Sequence, residues 1–319
     1  MRRTASPLSL ILLGLGTFLL VLAPMLAWYV EPRAAVNPID IDTTAVYNGT
    51  GSYFDTDEIE TVHDKRITVT QKVRGNVADS EKSGRAVWDV TTTVDTDKSL
   101  PAADPHDALE FFLNRWVTNR HTNQPVHCCR ENPYFEGEAY LKFPFDVHKR
   151  SYSWWDNSLG DTVVLRYAGK QRIQGYEGYE FTGTVAPVKI GTRLVPGTIV
   201  GQRSKPQVLA EEWYSNHGIR LVVDQRTGRV LYAQVGPRRT LRAPGAEKDA
   251  VVLLDSEKLA FTTATQKDQV KQAKTESGQL QLVGRTLPIG SAVAGFILAV
   301  IGAVLVVRGR RRPDPAGMS

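Results

Sequence analysis

The 23 residues from Leu8 to Val30, LSLILLGLGTFLLVLAPMLAWYV, contain no charged side chain and are bounded by Arg2 and Arg3 before them and Glu31 after them. A hydrocarbon core of roughly 30 Å needs about 20 helical residues at ~1.5 Å each. Backbone polar groups inside lipid must be satisfied within their own segment, so the run reads as a transmembrane helix. A second run, Ile289 to Val307 within segment 287–307, has the same character. The spacing therefore predicts two spans with everything else held between them.

Charge at the flanks sets the expected orientation. Arg2 and Arg3 precede the first span, and Arg308, Arg310, Arg311 and Arg312 follow the second. The positive-inside tendency puts both tails in the cytoplasm and the middle outside the plasma membrane. The alternative for the first run is a cleaved signal peptide, which wants a small-x-small site. Its nearest candidate, Met25-Leu26-Ala27, has a large residue where a small one is wanted, which favours an uncleaved anchor. Pro24 is expected to kink this span without breaking it. The expected division is 1–7 cytoplasmic tail, 8–30 span, 31–286 extracytoplasmic domain, 287–307 span and 308–319 cytoplasmic tail.

Net charge of +5 invites a nucleic-acid reading that compartments dissolve. Removing the six tail arginines and Asp314 from 39 basic and 34 acidic residues leaves 33 of each between the spans. A neutral outer domain gives no support for a nucleic-acid partner, and the basic tails read as anchors on anionic lipid. The expected partners are membrane lipids, with envelope proteins or self-association through the spans as further possibilities.

Within the outer domain, Thr43 to Glu60 carries Gly49 and Gly51 and reads as a connection. Arg66–Val77 and Arg85–Asp95 alternate as strands, with loop chemistry across 78–84. Asp104 as cap and Pro105 in the first turn suggest a short helix bearing Leu109, Phe112 and Leu113. Two similar turns stand out, Asn119 to Val126 and Asp224 to Gly228 with its flanking strands. In each, an Asn or Asp can bond the backbone two residues on, and Asn123 or Gly228 can take positive φ. Further strands are expected at 161–173, 176–188, 208–215, 219–224, 229–235 and 250–254, with a turn at Asn216-His217-Gly218. A mostly polar helix is expected over Thr263–Val283 with Val270, Ala273 and Leu280 on one stripe, weakened at Ser277 and Gly278. The fold class is thus a mainly antiparallel β (α+β) extracytoplasmic domain flanked by two transmembrane α-helices.

Chemical signatures are sparse. No Gly-x-Ser-x-Gly elbow, His-Glu-x-x-His, phosphate loop or dinucleotide fingerprint occurs, so no catalytic residue, metal site or cofactor is expected. An envelope hydrolase without a familiar signature is the enzymatic reading that is left. His121, His127, Cys128 and Cys129 lack the two-to-four-residue separations typical of paired zinc ligands. The adjacent cysteines are free thiols, interchain partners or a strained vicinal bridge, since neighbouring α-carbons lie ~3.8 Å apart, below the usual disulfide range. The aromatic block Phe143, Phe145, Tyr152, Trp154 and Trp155 either fills a sheet core or lines an apolar ligand cavity with Lys142, Lys149, Arg150 and Asp156 at its rim. Trp154 and Trp155 must face opposite sides of a strand, so one of them is expected to be exposed.

The Arg-flanked first span running into Trp28-Tyr29-Val30, the Asn119 to Val126 turn followed by Cys128-Cys129, the block from Phe143-Pro144-Phe145 to Trp154-Trp155-Asp156 and the Asp224 to Gly228 turn give the chain its likeness. It resembles the actinobacterial PorA-type family of porin-related membrane proteins over almost its whole length. The resemblance implies a pore but carries no catalytic residues. A one-chain barrel pore conflicts with the charged strands, and Gly14, Gly16, Gly290, Ala294 and Gly302 suit close contact between the spans. The layout is also similar to class B scavenger receptors, in which two spans hold a β-rich domain with a lipid tunnel. The leading expectation is a non-enzymatic envelope protein whose outer domain binds or passes lipid-like ligands. The alternatives are a structural or adaptor protein docking an envelope partner and an oligomeric channel.

Overall fold

A computed structural model describes residues 7–99 and 107–311. It divides into two compact units: residues up to Ala35 together with those from Thr275 on, and Val36–Lys274.

The first unit is a pair of apolar helices. Helix α1 (Pro7–Met25) runs through a π-helical turn, Leu26–Val30, into α2 (Glu31–Ala34). Its partner α5 (Leu287–Arg311) follows a second π-helical turn, Leu282–Thr286. Both runs are long and apolar enough to cross a membrane. The helices pack through small residues. A Cβ on Gly16 would meet the backbone of Ala299 at 2.5 Å, and one on Gly302 the backbone of Leu13 at 2.7 Å. Ser9, Gly16 and Ala23 are buried at seven-residue intervals on α1, as are Gly295 and Gly302 on α5, the period of a left-handed pair. Gly14 and Gly290, also offered by the sequence, face open space. Elsewhere the helices expose large apolar side chains, among them Phe18 at 60% and Phe296 at 64%.

The second unit is one antiparallel sheet. Its strands are β1 (Asp42–Asp55), β2 (Glu60–Gly75), β3 (Ala86–Asp95), β4 (Glu110–Thr118), β5 (Tyr152–Asp156), β6 (Asp161–Ile173), β7 (Tyr176–Pro196), β8 (Gln207–Val223), β9 (Val230–Val235), β10 (Pro237–Arg242), β11 (Val251–Asp255) and β12 (Leu259–Phe261). The order is β4-β3-β2-β1-β11-β10-β8-β7-β6-β5, with β12 pairing β1 and β9, and β9 pairing β8. Strands β9 and β10 lie end to end along β8, and β11 and β12 lie end to end beside them. In effect ten long strands form a meander, two of them interrupted.

The sheet curls until its ends approach. Asn114 on β4 donates from Nδ2 to Oδ1 of Asn157, just after β5, at 3.1 Å, and inward side chains from β4 and β5 line the same cavity. The gap is closed by the irregular segment 119–150. Asn132 bridges to Arg115 on β4, and Ala139 bridges in parallel to Trp154 on β5. Cys128 and Cys129 in this segment are joined to each other by a disulfide. Arg115 holds the seam from the β4 side, donating to Asp89 at 2.7 Å, to Asp79 at 3.0 Å and to the Cys129 carbonyl at 3.4 Å. Beneath the seam Trp116, Phe135, Tyr140 and Trp155 pack edge to face.

Both expected turns are present with the same geometry. The carboxylate of Asp224 accepts from Thr227 N and Oγ1, and Gly228 N donates to Asp224 O at 2.9 Å. The amide oxygen of Asn119 accepts from His121 N and Thr122 N, and Asn123 N donates to Asn119 O at 2.9 Å. Both turns grip one stretch: Gly228 O accepts from Phe143 N, and the buried Asn123 donates from Nδ2 to Lys142 O at 2.7 Å.

Several expectations fail, each for a reason visible in the packing. The connection read at 43–60 is β1, on the inner side of β2. Gly49 and Gly51 are there because an added Cβ would collide with the carbonyls of Lys258 and Asp255 where the interrupted strand passes over them. The loop read at 78–84 is helix α3 (Val77–Ser83), capped by Asn76, which accepts from Asp79 N, and ended by Gly84 at φ 68°. Asp104 and Pro105 lie outside the described residues, and the helix they were to start is replaced at its other end by β4, with Phe112 inward and Phe111 and Leu113 exposed. The turn read at 216–218 lies within β8, because the Asn216 side chain accepts from Gly218 N and Gly236 N in place of a backbone partner. Helix α4 (Thr263–Gln281) passes Ser277 and Gly278 without a break. Its Val270 and Ala273 pack on Ile173, Val222 and Leu231.

Two substitutions test this account. Gly228 has φ 72°, and a Cβ there would strike the Phe143 and Pro144 carbonyls, so Gly228→Ala should cost about 2–4 kcal/mol in denaturant unfolding of the full chain. Gly16→Ile should lower the melting temperature in detergent by several degrees, whereas Gly14→Ile, on the open side of α1, should leave it unchanged.

Candidate ligand cavity

Curling the sheet leaves an interior that side chains do not fill completely. Around β6 and β7 it is packed solid: Phe143, Tyr152 and Phe181 stack within 5.0–5.5 Å of one another, with Val163, Leu165 and Leu221 around them. Toward β1–β4 the alternate, inward residues are Val69 and Gln71, Thr92 and Val94, and Glu110 and Phe112. They enclose, with Tyr47, Tyr140, Trp154, Trp155, Leu254, Leu259 and Phe261, a cavity of about 190 Å³ that is partly open to solvent.

Of the aromatic block, Trp154 and Trp155 line this cavity, while Phe143 and Tyr152 belong to the packed core and Phe145 lies elsewhere. The two tryptophans do diverge, Trp154 toward Phe143 and Trp155 toward Phe135. Neither is exposed, contrary to expectation, because the closing segment covers the second face. The expected rim is dispersed as well. Lys142 is buried, donates to Asn37 Oδ1 at 2.6 Å and lies 4.0 Å from the centre of the Phe145 ring. Lys149 sits over Tyr167 and Tyr179, and Arg150 pairs with Glu138 at 2.6 Å. Asp156 alone of the four reaches the cavity.

Asp156 anchors a polar belt along one wall. Its Oδ1 accepts from Ser158 N at 2.9 Å and Leu159 N at 3.1 Å, and its Oδ2 accepts from the Tyr214 hydroxyl at 2.7 Å. Asn216 donates in turn to the Tyr214 oxygen at 3.1 Å. Burial pushes the Asp156 carboxyl above the usual carboxylate range against the pull of these donors, and burial with the Asp156 charge raises the Tyr214 phenol. Beyond them Arg239 on β10 donates to Glu110 on β4 and Glu212 on β8, an ion pair that reaches across the interior. Burial raises the Glu110 carboxyl, with Arg239 opposing. Burial also raises the phenols of Tyr47 and Tyr140. The indole N–H of Trp155, only 4% exposed, has no hydrogen-bond partner among the described residues.

Sequence reasoning passed over Glu110, Glu212, Tyr214, Asn216 and Arg239. A usable signal existed: Val208, Ala210, Glu212, Tyr214 and Asn216 share one face of β8, which sets a carboxylate in register with core residues. The histidines and cysteines do not assemble a metal site. His127 hydrogen-bonds Glu131 at 2.8 Å and stacks on Tyr134, His121 is exposed, and no group of three His, Cys, Asp or Glu among the described residues is placed to hold a metal ion.

Comparison with known proteins bears on the whole chain. A Porin PorA of Corynebacterium resistens is 26% identical over 102 residues, 32% of this chain, which spans only 23% of that protein. A Porin PorA of Corynebacterium amycolatum is 21% identical over 289 residues, 80% of this chain and 72% of that protein. The family model described as Porin PorA matches residues 8–304, from the first apolar helix to the last. That span takes in both helices and the entire curled sheet, and the chain belongs to the PorA porin family.

Proposed function

We propose that this chain is a two-pass plasma-membrane protein, both termini cytoplasmic and the β-body extracytoplasmic, which acts without catalysis by holding or passing an apolar, lipid-like ligand. The observation that supports this is the cavity: aromatic and aliphatic walls with a few convergent polar groups on one side are the usual composition of a small-molecule site. The exposed apolar faces of α1 and α5 support the anchoring, and the flanking arginines support the orientation.

A second reading has a specific support, the Porin PorA description shared by the family and both relatives. A channel of this kind would be built from several copies. Two helices cannot enclose a water path, and neither Leu8–Val30 nor Leu287–Val307 contains a charged side chain to line one. The β-body does not suit a transmembrane barrel either. Such a barrel needs a continuous apolar band outside, whereas Lys65, Arg66, Lys170, Arg172, Glu177 and Lys189 are exposed on its strands.

Mass spectrometry of the full chain, purified from its membrane and stripped of bulk lipid, should find an apolar molecule retained at about one per chain. A blank would overturn the ligand reading. Stepwise ion conductance of the same preparation in planar bilayers would replace it with the channel.

A further inference from the structure

We infer that the apolar ligand of this cavity carries a positively charged organic ammonium head, as a cationic amphiphile does. The inference rests on the cavity being a ligand site, as proposed above, and names the charge it selects.

The cavity wall holds no positive charge. None of its lining residues is a lysine, arginine or histidine, and seven are aromatic, Tyr47, Phe112, Tyr140, Trp154 and Phe261 among them. The faces of such rings are negative and attract a cation. Two carboxylates share the wall, Glu110 and Asp156. Glu110 and its neighbour Glu212 are matched by Arg239 and Arg193. Asp156 forms no ion pair among the described residues. Its donors are the Tyr214 hydroxyl and the N–H groups of Ser158 and Leu159, all uncharged. Its hydrogen bonds are therefore made and its charge is left over. That charge reaches along the wall: burial raises the Tyr140 phenol, and Tyr47 and Asp156 raise it further. A hydroxyl head would add a hydrogen bond without neutralising Asp156. A carboxylate or phosphate head would meet it in a region of low dielectric, where repulsion is strong. An ammonium neutralises the carboxylate and lies against the rings at once. At about 190 Å³ the cavity exceeds the roughly 150 Å³ space that takes up benzene, so it admits such a head with a short alkyl segment. A longer chain would leave by the open side.

The test uses the full chain in a nonionic detergent, titrated calorimetrically with hexyltrimethylammonium, hexan-1-ol and hexanoate, which share one tail and differ in the charge of the head. Each titration is corrected for partition into empty micelles. Saturable binding of about one hexyltrimethylammonium per chain is expected, with hexan-1-ol at least tenfold weaker and hexanoate not bound. Asp156→Asn keeps the size of the side chain but removes its charge. It should weaken hexyltrimethylammonium about tenfold and leave hexan-1-ol unchanged. Damage to the fold would weaken both, and the comparison of the three probes on the native chain then decides by itself. Hexan-1-ol or hexanoate binding the native chain as tightly as hexyltrimethylammonium would overturn the headgroup assignment and leave the cavity reading standing, as would a hexyltrimethylammonium affinity indifferent to Asp156→Asn. Saturable binding by none of the three would overturn both.

Discussion

Closure of the sheet by the segment 119–150 is the constraint on which the rest of the β-body depends. A ten-strand meander left open would present two long edges, each a row of unpaired backbone groups inviting another chain. Here β4 and β5 do not pair with each other. They pair with isolated points of one irregular segment, and Arg115 fixes that segment to β3 and α3 through Asp89 and Asp79. Because the closing element is irregular, it can pack Phe135 and Tyr140 beneath itself where a regular strand would place alternate residues outward. The interior is consequently wider than its side chains fill on the β1–β4 side.

The cavity and the polar belt are two consequences of that width. A sheet of this size rolled tighter would close its centre with side chains, as eight-stranded barrels do. Held open at the seam, it keeps aromatic rings on one wall, and the interior ion pair between Arg239, Glu110 and Glu212 spans β4, β8 and β10. Such pairs are poor sources of stability, because desolvation offsets attraction. Breaking one by removing a single partner is costly all the same, so Arg239 fixes the separation of those strands more than it adds to the folding free energy.

The sequence reading reached the features that are local. Both apolar helices, the matched turns at 119–126 and 224–228, the opposed faces of Trp154 and Trp155 and the stripe of α4 follow from spacing and turn chemistry. It missed features whose cause lies far along the chain. Gly49 and Gly51 looked like linker residues because the carbonyls that require them come from residues some two hundred positions later. Asn216-His217-Gly218 looked like a turn because the bond to Gly236 that keeps β8 extended is not local. The five candidate ligand residues lie within one stretch, 143–155, whereas the cavity draws on β1 to β5 and on β8 to β12 together. Sequence proximity selected Phe143 and Tyr152, which the fold assigns to its solid half.

The matched turns carry a consequence for assembly. Each belongs to a neighbourhood of short sequence separation, and contacts of that kind form early. The stretch from Lys142 to Val147 docks on both, donating to the carbonyls of Gln225, Arg226 and Gly228 and accepting from Asn123. The shut seam therefore rests on both turns keeping their shape. With the seam held shut, a molecule reaches the interior only where the cavity stays open to solvent, beside the closing segment and not through it.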